Sequence, residues 1–257
     1  MGFAFLILLP LLSAFYFIGV SQGQLSVGFY DNACPDAESV VSTVVRNAAR
    51  SSSKIPPVLL RLHFNDCFVV GCHGSILIEN DPNAERHAFS HQGVGGFELV
   101  EQAKAQLETT CPGVVSCADI VALAARDAIA LVRNTYLLHA LGSIDILPTG
   151  RRDGRVSDVS LAAKCQTLVT QSNDSRLSFC RKILENVRNG LAVLESDARL
   201  YDNDTTRMLV YSYLGFLNPI FGSSFEAYFV DSIVKMGQIG VKTGSNGEFS
   251  PVCTAFN

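Results

Sequence analysis

The chain has 257 residues, of which 48% are apolar, 20 basic and 24 acidic, giving a formal net charge of −4. That apolar content is too high for a disordered chain and sufficient for one large domain. A mildly acidic balance without a basic run argues against nucleic acid or anionic membrane as a partner.

From the N-terminus, residues 1–23 carry no charge, and Phe3 to Val20 is apolar apart from Pro10, Ser13 and Gly19. Small residues at Ser21 and Gly23 suit signal peptidase, so the pattern predicts a signal peptide over 1–23. The alternative is an uncleaved anchor, which the proline and glycine weaken in a span already short for a bilayer. Residues 24–257 then form a single domain with no further membrane segment. An oxidising compartment would favour pairing of the eight cysteines (34, 67, 72, 111, 117, 165, 180 and 253), although their number does not fix the pairs. Asn173-Asp174-Ser175 and Asn203-Asp204-Thr205 are glycosylation sequons, which belong on a surface when used.

The hydrophobic period is helical. Val40, Val41, Val44, Val45 and Ala48 mark a first helix after Pro35-Asp36. Val58 to Cys67, behind Pro56-Pro57, reads as a second. Phe97, Val100, Ala103, Lys104 and Leu107 form one stripe of a third. Ser116-Cys117-Ala118-Asp119 reads as a capping box opening an almost wholly apolar helix over 120–132, expected to be central. Ile144 to Thr149 reads as loop or short strand, and a late helix is predicted from about Ser224 to Met236. Lys164 to Arg181 shows no clean period, which is unusual inside a compact domain.

The most informative window is Leu59-Leu60-Arg61-Leu62-His63-Phe64-Asn65-Asp66-Cys67-Phe68-Val69-Val70-Gly71-Cys72-His73-Gly74-Ser75. It resembles the distal segment of the secretory plant haem peroxidases, class III. Further blocks agree in order: Gln24-Leu25 through Phe29-Tyr30, Cys34-Pro35, Cys111 to Ile120, Gly150-Arg151-Arg152-Asp153-Gly154, Lys235 to Gly240, Thr243-Gly244 and Cys253. The resemblance covers roughly 24–164 and 182–257. It implies a mostly α-helical haem-peroxidase fold, haem b and calcium as cofactors, and hydrogen peroxide with small phenolic donors as substrates. It also implies a secreted, monomeric glycoprotein of the cell wall, apoplast or vacuole. By motif position it implies the disulfides Cys34–Cys111, Cys67–Cys72 and Cys117–Cys253 and a buried Asp119–Arg151 ion pair. Cys165 and Cys180 are left either to bridge each other or to stay free.

Peroxide cleavage needs a base of near-neutral pKa and a fixed cation above the iron. By resemblance Arg61 is that cation and Phe64 the distal aromatic shield. The base belongs four residues after Arg61, on the same helix face, where this chain has Asn65. His63 projects to nearly the opposite face and reads as structural. Asp66, the carbonyls of Val69 and Gly71, and the Ser75 hydroxyl match the family's distal calcium ligands, with Glu85 as outer support. The second carboxylate position is His73, so this calcium site is expected to be weakened or empty. Ser90-His91 replaces the segment that orients the base, and Gly95-Gly96-Phe97 stands where Arg-Gly-Phe is usual.

Haem iron in the family is held by a histidine in a Ser-Gly/Ala-X-His-Thr-like motif, and no histidine follows His139. The resemblance breaks near Cys165 and resumes near Lys182, as if the proximal helix, a second calcium site and a fourth disulfide were excised. The donor-contacting proline, expected near Gln166, is missing as well. The sequence therefore predicts a peroxidase fold lacking part of its proximal half, with activity impaired or lost; the alternative is a non-catalytic secreted remnant of that fold or an aberrant gene product without haem. A zinc module built from His63, Cys67, Cys72 and His73 is a distant alternative, since a secreted cysteine pair is more often a disulfide.

Overall fold

A computed structural model describes residues 25–133, 147–165, 187–190, 201–214 and 225–256. The expected signal peptide, His139, Cys180, the Asn173 sequon and the segment from Gln166 to Arg181 lie outside these residues.

The described chain is mostly α-helical. Its helices are α1 (Ala37–Ser51), α2 (Ile55–Val69), α3 (Phe97–Thr110), α4 (Cys117–Arg133), α5 (Val159–Cys165), α6 (Asp204–Leu214) and α7 (Phe225–Met236). Short 3-10 turns at Ser75–Leu77, Glu85–His87 and Phe89–His91 carry the chain from α2 to α3. Extended pairing among the described residues is limited to isolated bridges, Ser26 with Thr149, Arg152 with Lys242 and Asp153 with Glu248.

The sequence patterns account for most of these elements. In α1 the residues Ala37, Val41, Val44 and Val45 are buried, and in α3 the expected stripe Phe97, Val100, Ala103, Lys104 and Leu107 is the buried face. The second helix is longer than its apolar run, starting at Ile55. Pro56 and Pro57 fall in its first turn, where a missing N–H costs nothing. The late helix begins at Phe225. Helix α4 is the hub, packed against α1, α2 and α3. Ile120, Val121, Leu123, Ala124 and Ala128 are buried, as a helix apolar on nearly every side requires.

The start of α4 departs from a capping box. Ser116 Oγ accepts the Asp119 amide at 3.1 Å, but the Asp119 carboxylate turns inward instead of reaching back. Asp153, distant in sequence, closes the helix end. Its carboxylate accepts the amides of Cys117 at 3.1 Å, Ala118 at 2.9 Å and Ser250 at 3.1 Å. A carboxylate there also complements the helix dipole.

Asp119 and Arg151 form a fully buried ion pair, Nη1 to Oδ1 at 2.7 Å. The second carboxylate oxygen accepts the Tyr30 hydroxyl at 2.6 Å and the amides of Gly150 at 2.7 Å and Arg151 at 3.0 Å. Arg151 donates its remaining N–H groups to the carbonyls of Gly237 and Pro148. Burial and the Asp119 carboxylate keep the Tyr30 phenol protonated, well above its usual pKa. His63 lies beside this network. A Cβ on Gly237 would sit 3.2 Å from Arg151 Nη2 and 3.3 Å from His63 Nε2, so glycine leaves the room that both side chains use.

Among the described residues three disulfides tie the segments together: Cys34–Cys111, Cys67–Cys72 and Cys117–Cys253. The last closes the longest loop, joining the hub helix to the C-terminal segment. Glu101 fixes that segment further by accepting the amides of Cys253 and Thr254. No described helix is long and apolar enough to cross a membrane.

Two predictions follow from this core. Asp119→Asn leaves Arg151 buried without a counter-charge, and urea unfolding should show a loss of about 3–5 kcal/mol. His63 is held neutral by burial and then by the Arg151 charge, its pKa pushed from 6.5 down to about 3. Between those values only the unfolded chain takes up the proton, so this part of the stability is complete above pH 6.5 and is lost as pH falls toward 3. A His63→Leu variant should therefore lose about 2–3 kcal/mol less than wild type between neutrality and about pH 4.5, measured as the change in urea-unfolding free energy.

Candidate active site

Helix α2 separates structure from chemistry by its two faces. Leu59, Leu62, His63, Asp66 and Cys67 are buried, while Arg61, Phe64, Asn65 and Phe68 share the outward face at helical spacing. Arg61 Nη2 donates to the Gln92 carbonyl at 2.9 Å, and Nη1 reaches the Gly93 carbonyl at 3.4 Å. The guanidinium is thus aimed by a loop some thirty residues downstream. Asn65 Nδ2 donates to the Arg61 carbonyl at 2.8 Å, one turn back in its own helix. Phe64 stacks on Phe68 with ring centroids 4.2 Å apart and packs against the Cys67, Cys72 and Met236 cluster. Together these groups present a cation, an amide and an aromatic pair.

Below this face the 66–75 loop folds into a polar cradle. Asp66 Oδ2 accepts the Gly74 amide at 3.1 Å, and Ser75 Oγ donates to Glu85 Oε2 at 2.7 Å. Asp66 Oδ1 and Glu85 Oε1 are buried without a hydrogen-bond partner. Burial pushes Asp66 up to about 7 and Glu85 up to about 8. The loop holds its shape through Gly71, whose φ is +131° and whose Cα lies against the backbone of Gly240. A side chain at Gly71 would meet the Gly240 carbonyl at 2.5 Å.

His73 is buried with both ring nitrogens unpartnered. Its ring packs on Gly154, where a Cβ would come within 2.5 Å of Nδ1. Burial and then the nearby Lys242 charge push its pKa down to about 4. His63 contacts Cys67 Sγ at 3.7 Å. His91 Nδ1 lies 2.9 Å from the Glu85 carbonyl and can donate to it as the Nδ1–H tautomer; its pKa is lowered by burial and by the Arg61 charge. Because Cys67 and Cys72 are bonded to each other, they offer no thiolates, and the zinc alternative loses two of its four ligands. Among the described residues no group of His, Cys, Asp and Glu could hold a metal ion by itself.

Arg61, Phe64 and Asn65 thus lie together, and Asp66, Ser75 and Glu85 cluster beneath them. The sequence reading missed the carbonyl clamp on Arg61, the His91–Glu85 contact and the room that Gly154 makes for His73. The first two depend on main-chain geometry and leave no side-chain signature. The third was visible in principle as the closing glycine of Gly150 to Gly154.

Comparison with known proteins places this arrangement. The family model described as peroxidase matches residues 41–166. The chain is 44% identical to Peroxidase 43 of Arabidopsis thaliana over 317 aligned positions, covering 94% of this chain and 95% of that protein. Peroxidase 13 of Arabidopsis thaliana is 36% identical, covering 93% of this chain and 95% of its own length. Peroxidase N1 of Nicotiana tabacum is 35% identical, covering 90% of each. The helical fold, the ordered motifs and these full-span similarities agree: the chain belongs to the plant peroxidase family.

Proposed function

We infer that this chain is a secreted, monomeric member of the plant peroxidase family in which turnover of hydrogen peroxide with phenolic donors is impaired or lost. The observation that carries the reading is Asn65. A carboxamide does not titrate near neutral pH, and this one spends a donor on the Arg61 carbonyl. It cannot take up the proton that peroxide must give away.

Bound haem would supply the iron at which hydrogen peroxide delivers its oxidising equivalents, and Arg61 and Phe64 would face it. Among the described residues the remaining donors do not fit that group, His87 lying exposed on the 3-10 turn at Glu85–His87. No histidine follows His139. His63, His73 and His91 are buried in the distal half against Cys67, Gly154 and Glu85. An internal deletion near 165–181 explains the loss, and two findings support it. The family match ends at residue 166. The 317 positions aligned with Peroxidase 43 draw on 94% of a 257-residue chain, about 242 residues, which leaves about 75 positions of the relative without a counterpart.

Calcium fits poorly for a related reason. By resemblance Asp66, the Val69 and Gly71 carbonyls and Ser75 would supply oxygens, with Glu85 behind them; Asp66 Oδ1 is unpartnered, but the Gly71 carbonyl already accepts the His73 amide at 2.9 Å. Calcium needs several oxygen ligands, charged ones above all, and here His73 offers an imidazole packed on Gly154 beside a lysine.

One observation favours a second reading, residual turnover. His91 points Nδ1 at the Glu85 carbonyl, which leaves Nε2 as the basic nitrogen of a ring whose pKa burial and the Arg61 charge lower.

Haemin reconstitution followed by a guaiacol oxidation assay decides between the two. The expected rate is that of free haemin, with Asn65→His alone giving no recovery. Turnover within about tenfold of an intact family member would overturn the inference, because a missing base alone costs about 10²–10⁴-fold. For calcium, adding the ion or EGTA should leave Tm unchanged, while His73→Asp should make Tm rise with calcium. A wild-type Tm that falls on chelation would show that the cradle is loaded.

A further inference from the structure

Helix α6 and the turn before it bring together two phenols, half-buried Tyr201 and exposed Tyr211, away from the distal residues described above. Asp204, Arg207 and Tyr211 recur at three- and four-residue spacing and share one face of the helix. Arg207 pairs with Asp204, donates to the Tyr201 carbonyl at 3.3 Å and stands 5.8 Å from the centre of the Tyr201 ring. This folds the turn before the helix back along that face. The Tyr201 hydroxyl then donates directly to the Tyr211 hydroxyl, with ring centroids 5.8 Å apart and ring planes at 57°. Tyr211 is 52% exposed, so an oxidant in solution can reach the pair.

We propose that Tyr201 and Tyr211 form an oxidative cross-linking site, at which a one-electron oxidant joins them into an intramolecular dityrosine. Each phenol gives up one electron and its hydroxyl proton, producing two phenoxyl radicals. The radicals couple through ring carbons ortho to the oxygens, forming one C–C bond. Each ring then loses its ortho hydrogen as a proton while its oxygen regains one. The net loss is two electrons and two protons, which one molecule of hydrogen peroxide accepts to become two waters. The oxidant class is hydrogen peroxide used by the haem of a separate, competent peroxidase, so this chain is the phenolic donor. Pairing the hydroxyls in advance makes coupling unimolecular, which favours this pair over encounters between chains. Tyr30, buried and bonded to Asp119, is shielded from the same reaction. The product would pin the turn at 201 to the second half of α6.

The test uses the purified full chain with hydrogen peroxide and catalytic amounts of a competent plant peroxidase. Trypsin cuts after Arg199 and Arg207, placing Tyr201 and Tyr211 on separate peptides. The expected product is monomeric protein in which these two peptides are joined with the loss of two hydrogens and show dityrosine fluorescence. Tyr211→Phe should lower that fluorescence by about fivefold or more, and Tyr213→Phe should leave it within about twofold. Cross-links formed mainly between chains, or spread evenly over other tyrosines, would overturn the proposal. Peroxide alone separates this site from the reading above: cross-linking without added peroxidase would show that the chain is itself active and would leave the tyrosine assignment standing.

Discussion

The Asp119–Arg151 ion pair is the constraint on which the rest of the fold depends. It lies in the fully buried interior, where an unpaired charge would be intolerable, so every remaining polar atom around it must be matched. The matching groups come from the N-terminal loop at Tyr30, the hub helix α4, the 148–151 loop and the turn after α7. Segments far apart in sequence meet because they satisfy one another's hydrogen bonds. The requirement extends to residues without charge: Gly237 leaves space for Arg151 and His63, and His63 stays neutral beside a fixed cation.

That scaffold is independent of the groups needed for peroxide chemistry. The buried face of α2 is set by Leu59 and Leu62 packing with the hub, His63 beside Arg151 and Cys67 beside Met236, while Arg61 and Asn65 project from the opposite side. An amide instead of an imidazole at position 65, on the outward face, would therefore cost the core nothing. The cradle beneath follows the same logic. Its loop is held by close backbone contact at Gly71 and Gly240 and by the Cys67–Cys72 bridge, neither of which requires a bound cation. The residues that hold this fold are thus distinct from those on the outward face of α2.

Helix positions and core faces were largely legible in the sequence, because a 3.6-residue period is a local property. The stripe from Phe97 to Leu107 reads directly as a buried face, and the near-continuous apolar run of α4 reads as a hub. What stayed hidden was set by tertiary contacts. Ser116 and Asp119 look like a reciprocal cap; Ser116 keeps its half, but Asp119 is drawn inward by Arg151 and Asp153 takes the Cys117 and Ala118 amides. The aim of Arg61 depends on two carbonyls, and carbonyls carry no residue identity. The positions of Asn65 and His73 were legible through resemblance to a family. Physical reasoning then supplied what their replacement means: an amide for a base, and an imidazole for a carboxylate.

On the function proposed above, a peroxidase scaffold is retained without the ligand set for its haem. Native mass spectrometry of the chain, purified without reconstitution from a host that secretes it and makes haem, addresses this most directly. The predicted result is the mass of the polypeptide with its disulfides and any glycans alone. A stoichiometric species heavier by one haem, surviving gel filtration, would contradict it.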